Sequence, residues 1–274
     1  MQFDKPAVTN ILTEQTIIDS EFLEREVLVD TYLPNNISEP GKMSLLLIND
    51  GQDLSKMPFD EMLDDLIQTG AIDPLVCIGI HCGPERRMEY GIASEPDFKG
   101  RGIKAALYTK FIFEELLPFI RKKYYVQSFK EKSFAGFSLG GLSALDIAWN
   151  HAGELSKVGV FSGSLWWRSK GYDEGYEEST DRIMHQQIKN GNYYPWLKFF
   201  FECGAADESK DRNNNGVIDS IDDTLDLIAE LKKKGYRDDD IKYLELADGK
   251  HDVPTWGRAF PEFLKWGWGR KTEQ

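Results

Sequence analysis

The sequence predicts an α/β protein: one central, mostly parallel sheet of about eight strands with helices on both faces. Three observations predict it. Strand-like and helix-like segments alternate along most of the 274 residues, the pattern that βαβ units leave in a chain. Several strand segments are continuous apolar runs, as expected of strands covered on both faces. No internal repeat, low-complexity tract or Pro/Gly/Ser-rich linker interrupts the chain, so residues 1–274 read as a single domain with room for a substantial core.

Taken in order, Thr16–Phe22 and Arg25–Tyr32 read as an opening antiparallel pair around Leu23-Glu24. Ser44–Asn49 (Ser-Leu-Leu-Leu-Ile-Asn) is an apolar strand. Phe59–Gln68 is a helix stopped by Gly70, and Leu75–Ile80 is the next strand. Ile103–Tyr124 is a long helical stretch with Leu107, Phe111, Leu116, Phe119 and Ile120 at helical spacing. Pro118 should kink or reset it. Lys132–Ala135 is a short buried strand, and Leu139–Trp149 is the helix after it. Lys157–Phe161 is a strand, Thr180–Lys189 a helix and Leu197–Cys203 a strand. Ile221–Lys233 is a helix ended by Gly235, and Ile241–Leu246 is the last strand. A helix from about Arg258 to Trp268 closes the chain.

A net charge of −13 argues against nucleic acid and anionic membrane as partners. Three cysteines, Cys77, Cys82 and Cys203, are too few and scattered for a disulfide framework or a zinc site. Cys77 and Cys203 read as buried thiols. Met1-Gln2-Phe3-Asp4-Lys5 carries no signal-peptide pattern, and no apolar run approaches a membrane span. The expected location is cytoplasmic, although a removed signal peptide would leave the same sequence. Composition says nothing of oligomeric state.

The densest information lies in Ala135-Gly136-Phe137-Ser138-Leu139-Gly140-Gly141. This G-x-S-x-G sequence sits between a strand and a helix, as a nucleophile elbow requires. Small residues flanking the serine let the chain turn sharply, and the turn lifts the hydroxyl above the sheet. A serine hydroxyl needs a base to take its proton. Of His81, His151, His185 and His251, the last follows the final strand, in Ala247-Asp248-Gly249-Lys250-His251-Asp252. That is where the α/β-hydrolase order Ser, acid, His puts the base. His151 and His185, at or within helices, read as surface residues, and His81 ends a strand near the cleft. The acid should follow the penultimate strand. Asp207 has that position, with Glu208, or Asp211 and other loop acids, as alternatives. Two oxyanion donors are expected: the N–H of Leu139, and that of Gln52 in the Asp50-Gly51-Gln52-Asp53 loop. Trp166 and Trp167 follow a strand on the substrate side; they either form a stacking wall for an aromatic acyl group or a sugar face, or cap the core. Arg87, Arg101 and Arg168 either meet an anionic group or pair with nearby acids.

Asp211 to Asp222 (Asp-Arg-Asn-Asn-Asn-Gly-Val-Ile-Asp-Ser-Ile-Asp) fits a twelve-residue calcium loop. Asp211, Asn213, Asn215, Asp219 and Asp222 supply oxygens at positions 1, 3, 5, 9 and 12. Gly216 takes the sharp turn, and Val217 would donate its carbonyl. The last ligand is Asp rather than Glu, and a single helix follows, so the loop resembles dockerin-like loop–helix motifs. The competing reading is an Asx-turned helix start. No cofactor is expected for catalysis; the calcium would be structural.

With these residues placed, the chain resembles the putative esterase family of α/β hydrolases. Enterochelin (siderophore) esterases, feruloyl and acetyl-xylan esterases, S-formylglutathione hydrolase and mycolyltransferases belong to that group. The resemblance rests on Leu46-Leu47-Ile48-Asn49-Asp50-Gly51-Gln52, Arg87-Met88-Glu89-Tyr90, Phe113-Glu114-Glu115-Leu116-Leu117-Pro118, the Ser138 elbow, Phe161-Ser162-Gly163-Ser164 and Gly249-Lys250-His251. It covers nearly the whole chain and implies a serine esterase. The expected substrate is a small-molecule ester, carbohydrate-linked or siderophore-type, cleaved through an acyl-Ser138. Two other readings stay open: acyl transfer on the same triad, and a non-catalytic hydrolase-fold binding protein. The Asp211–Asp222 insertion is not general to the family, so calcium rests on the local pattern alone.

Overall fold

The computed structural model describes residues 9–35 and 39–270; the Met1–Lys5 stretch lies outside them. Eight strands form one sheet: β1 (Ile11–Ser20), β2 (Arg25–Pro34), β3 (Ser44–Asn49), β4 (Leu75–Ile80), β5 (Lys132–Phe137), β6 (Lys157–Phe161), β7 (Lys198–Ala206) and β8 (Ile241–Lys250). Their order is β1-β2-β4-β3-β5-β6-β7-β8. β1 and β2 are antiparallel, β2 joins β4 antiparallel, and all pairs from β4 to β8 are parallel. The helices are α1 (Phe59–Gln68), α2 (Arg86–Glu89), α3 (Ala105–Lys110), α4 (Leu117–Lys123), α5 (Leu139–Asn150), α6 (Glu178–Asp181), α7 (Ile183–Asn190), α8 (Asp219–Lys234) and α9 (Val253–Trp268).

The apolar runs are buried as their composition requires. Leu45 to Ile48 of β3 are fully covered, each worth roughly 1.5–3 kcal/mol against exposure. Alternate side chains feed two cores. Leu45 and Leu47 join Phe134, Leu142 and Trp149 on one face; Leu46 and Ile48 join Phe137, Phe161 and Phe260 on the other. The second face seats α9, with Phe260 stacked on Phe161 at 5.0 Å between ring centroids. Trp256 stacks on Phe137 at 5.0 Å. These contacts fix the start of α9, and hence the loop before it, over the end of β5.

Several segments differ from their expected bounds, among them β1, which runs Ile11–Ser20 rather than Thr16–Phe22. The stretch read as Ile103–Tyr124 starts at Ala105 and is wound as a π-helix over Phe111–Leu116. The widened turn lies just ahead of Pro118, which has no N–H and whose ring would press on the carbonyl four residues back. The helix read as Thr180–Lys189 is broken at Arg182, which turns extended and bridges Arg168. β8 runs on through Lys250, pairing across an irregularity at Gly204/Ala206 of β7. α9 begins at Val253 rather than Arg258, because the Asp252 side chain caps it by accepting from the Thr255 N–H.

Candidate active site

Ser138 stands between β5 and α5 with φ 55° and ψ −120°, a strained conformation for a residue with a side chain. The neighbouring glycines make it feasible. A Cβ on Gly136 would meet the Gly140 carbonyl oxygen at 2.3 Å, and one on Gly140 would meet Asp50 Oδ2 at 2.6 Å. Backbone bonds hold the turn: Ser138 N–H donates to the Phe161 carbonyl at 2.8 Å, and Ser164 N–H to the Ser138 carbonyl at 3.1 Å.

His251 Nε2 lies 2.8 Å from Ser138 Oγ across 113 positions of sequence. Its ring sits between β8 and α9 and meets Trp256 edge-to-face at 5.4 Å. Burial disfavours the imidazolium, and Arg86 adds to that effect. Asp207 and Asp252 oppose it, and the net result is a pKa below the usual 6.5. The neutral imidazole is the form that accepts a proton from serine.

Asp207 follows β7 where the strand closes on β8. A Cβ on Gly204 would meet the Gly249 backbone at 2.4 Å and Asp207 Oδ1 at 2.7 Å. Burial raises the Asp207 pKa, with the Ser162 hydroxyl and His251 pulling the other way. Neither carboxylate oxygen closes a hydrogen bond among the described residues. Charge, rather than a hydrogen bond, is what links Asp207 to His251. Glu208, the alternative acid, lines a different pocket with Trp166. Asp211 accepts from the Asn215 and Gly216 N–H groups of its own loop.

Leu139 opens α5 and Gln52 is second in the 3₁₀ turn Gly51–Lys56. The first N–H groups of such turns have no partner within the helix, so neither is spent inside its own turn, as an oxyanion hole would need. The sequence reading missed what fixes the Gln52 loop. Arg86 Nε and Nη2 each donate to the Asp50 carboxylate at 2.6 Å, and Nη2 also reaches the Phe137 carbonyl at 3.3 Å. One guanidinium thus ties the loop after β3 to the elbow strand. The signal was an Asp ending a wholly apolar strand, since a buried carboxylate needs a counterion. Nothing local separates Arg86 from Arg87.

The two tryptophans divide. Trp167 is fully buried, with Gly91 and Gly102 closed against its indole. This corrects its reading as substrate wall: it caps the core. Trp166 is half-buried and lines a cavity of about 230 Å³ with Phe98, Arg101, Arg168, Tyr172 and Glu208. Arg101 pairs with Asp97 and lies over the Trp166 ring at 4.7 Å. Arg168 lies over Tyr172 at 4.0 Å and has no carboxylate partner among the described residues. His185 is also corrected. It is buried, not a surface residue, bonds the Asp223 carbonyl at 2.8 Å, and has its pKa pushed down to about 3 by burial. His81 pairs with Asp30 at 2.6 Å, and His151 stacks on Phe113.

In the 211–222 loop, Asn213 and Asn215 side-chain amides each donate to Asp222 Oδ2 at 2.8 Å. Gly216 takes the turn at φ 86°. Asp219 leaves this cluster: it accepts from the Arg212 N–H at 2.8 Å and lies 3.3 Å from Arg212 Nη1. Among the described residues no group of three or more His, Cys, Asp or Glu side chains is gathered to hold a metal. The loop gathers two carboxylates and two amides. No helix of the described residues is long and apolar enough to cross a membrane.

A strand–elbow–helix serine, a histidine on its hydroxyl and an eight-stranded, mostly parallel sheet define an α/β hydrolase. The model of the family described as "Putative esterase" matches residues 20–266, and the chain belongs to that family. The chain is 23% identical over 250 residues to the uncharacterised protein YjcH of Bacillus subtilis (strain 168), covering 90% of this chain and 93% of that one. Among solved structures it resembles a ferulic acid esterase at TM-score 0.71 and 17% identity, over 94% of this chain and 98% of that one. It resembles the enterochelin esterase of Shigella flexneri at TM-score 0.72 and 21% identity, over 96% of this chain but 60% of that one. The siderophore hydrolase EstB of Aspergillus nidulans matches at TM-score 0.68 and 18% identity, over 97% of this chain and 100% of that one. These structural likenesses carry the fold.

Proposed function

We propose that the protein is a serine esterase that cleaves a small-molecule carboxylic ester through an acyl-Ser138 intermediate. The 2.8 Å contact between His251 Nε2 and Ser138 Oγ carries this reading. His251 takes the serine proton as Oγ attacks the carbonyl carbon, and the carbonyl oxygen, now negative, accepts from Leu139 and Gln52 N–H groups. His251 returns the proton to the leaving alkoxide. Water then repeats the sequence on the acyl-serine, releasing the acid and restoring Ser138. Asp207 stabilises the imidazolium that forms in both halves. Trp166 and Arg168 line one pocket, Trp166 with a flat apolar face and Arg168 with a cation held between aromatic rings. That pairing suits an ester bearing an aromatic or sugar ring.

A fluorophosphonate probe is expected to label Ser138 alone, and p-nitrophenyl esters to be turned over with kcat/KM rising as pH increases. Because the folded His251 pKa lies below 6.5, the midpoint of that acid limb should fall below 6.5. No labelling and no turnover across acetyl, feruloyl and trilactone esters would leave a ligand-binding protein on a hydrolase fold.

The 211–222 loop is proposed to hold a structural Ca²⁺ through Asp211, Asn213, Asn215, the Val217 carbonyl and Asp222. The side chains of Asn213 and Asn215 already meet Asp222, though through their N–H groups, so both amides must turn their oxygens inward to take the cation. Asp219 joins only by giving up Arg212. A cation that binds only the folded loop raises stability by about 2.7 kcal/mol at a hundredfold excess over Kd. The melting temperature should therefore rise by roughly 5–10 °C with calcium and fall back with a chelator. Asp211→Ala should abolish the response while activity falls only in part. A melting curve indifferent to both additions would reduce the loop to an Asx-rich turn.

A further inference from the structure

Behind Asp207 lies a second buried acid that the reaction as written does not use. Glu202 belongs to β7 and stands in register with Phe161, the last residue of β6. Glu202 is 1% exposed. All four oxygens of Glu202 and Asp207 lack a hydrogen-bond partner in the structure. Four orphaned carboxyl oxygens beside one triad are expensive unless a proton is shared among them.

The Ser162 hydroxyl lies beside both acids without closing a hydrogen bond to either. Ser162 follows β6 and donates its N–H to the Glu202 backbone carbonyl at 2.8 Å. Its φ of 45° is unusual for a residue with a Cβ, so the packing holds its hydroxyl against local preference. Ser162 Oγ already accepts from Trp256 Nε1 at 2.9 Å. A hydroxyl has one proton to give and two lone pairs. It can accept once more, from a protonated Glu202, and still donate to Asp207.

We infer that Glu202 is a positioning residue of this esterase site: its carboxyl stays protonated and, through the Ser162 hydroxyl, holds Asp207 as the charged member of the buried pair, facing His251. The charges around the pair agree. Arg258 approaches from α9, but it is spent on Asp248 at 2.8 Å and lies at the surface. His251 and Asp252 come from the β8–α9 connection, and Arg86 acts on His251 from beyond the elbow. The Cys203 thiol on the same strand is held neutral by burial. Among the described residues no buried cation pairs with Glu202. Burial and the Asp207 charge push the Glu202 acid up to about 8. Below that pH the relay has its donor. Above it two negative charges share the pocket and Asp207 loses its support.

This inference rests on the acyl-serine reading, and two measurements separate their fates. Glu202→Gln keeps a neutral donor and should hold kcat/KM near wild type at pH 7, whereas Glu202→Ala should lose about tenfold or more. The wild type should lose kcat/KM as pH rises past about 8, and Glu202→Gln should not. Equal damage from Gln and Ala, or identical alkaline profiles for wild type and Gln, would overturn the assignment. The second measurement needs no turnover and no variant. The infrared band of a buried protonated carboxyl should persist at pH 7 and vanish around 8. Asp146, raised to about 6 by burial, loses its own band at lower pH. A resting protein without a band titrating near 8 would sink the role of Glu202, whatever becomes of the esterase reading.

Discussion

Ser138→Ala is expected to lower kcat on a short-chain ester by about 10³-fold or more while leaving the melting temperature close to that of the wild type. The oxygen removed is the atom that attacks, so no neighbour replaces it. The fold should not notice. The elbow is held by backbone bonds from Ser138 N–H to Phe161 and from Ser164 N–H to the Ser138 carbonyl, which alanine leaves in place. Alanine keeps the Cβ, so the strain at φ 55° is unchanged. The Leu139 and Gln52 donors also survive, and water in the site would still gain from them, which leaves a small residual rate. Steady-state kinetics beside a thermal melt check both halves. Near wild-type turnover in a folded mutant would remove the acyl-serine from the mechanism.

What could be read from the sequence, and what could not, divides by range of interaction. Ser138 was legible because an elbow is a local object: its glycines are needed within two positions of the serine, where Gly136 and Gly140 touch. His251 was legible from its place after the last strand, since strand order alone decides which loops meet at one end of the sheet. Strand β3 declared itself by an unbroken apolar run. Arg86 was not legible, because its meaning comes from Asp50, which is distant in sequence and brought close only by the β3–β4 pairing. Trp166 and Trp167 are adjacent and identical in chemistry, and only the packing of Gly91 and Gly102 sends one inward. His185 looked like a surface residue of a polar helix. The Arg182 network with Asp223 and Asp226 draws α8 across it, and no periodicity within α7 reports that. Glu202 sat inside Phe-Phe-Phe-Glu-Cys, where a carboxylate in an otherwise apolar run was itself the anomaly.

His251→Ala is expected to be about as damaging as Ser138→Ala, and the double mutant no worse than either alone, because nucleophile and base act as one unit. His251 is the single side chain hydrogen-bonded to Ser138 Oγ among the described residues. Without it the hydroxyl must lose its proton to water, and the leaving alkoxide must depart without one. Asp207→Asn should cost less than this or a similar amount, at most about 10⁴-fold, since it removes the charge that stabilises the imidazolium. The same substitution carries a second signature. The Asp207 charge is one of the two forces that keep the Glu202 proton in place, after burial. Its loss should lower the pH at which the buried carboxyl band disappears. A kinetic defect together with that downward shift ties both acids to one site. Wild-type kinetics in Asp207→Asn, with severe loss in Glu208→Gln or Asp252→Asn, would move the acid of the triad to the residue that fails.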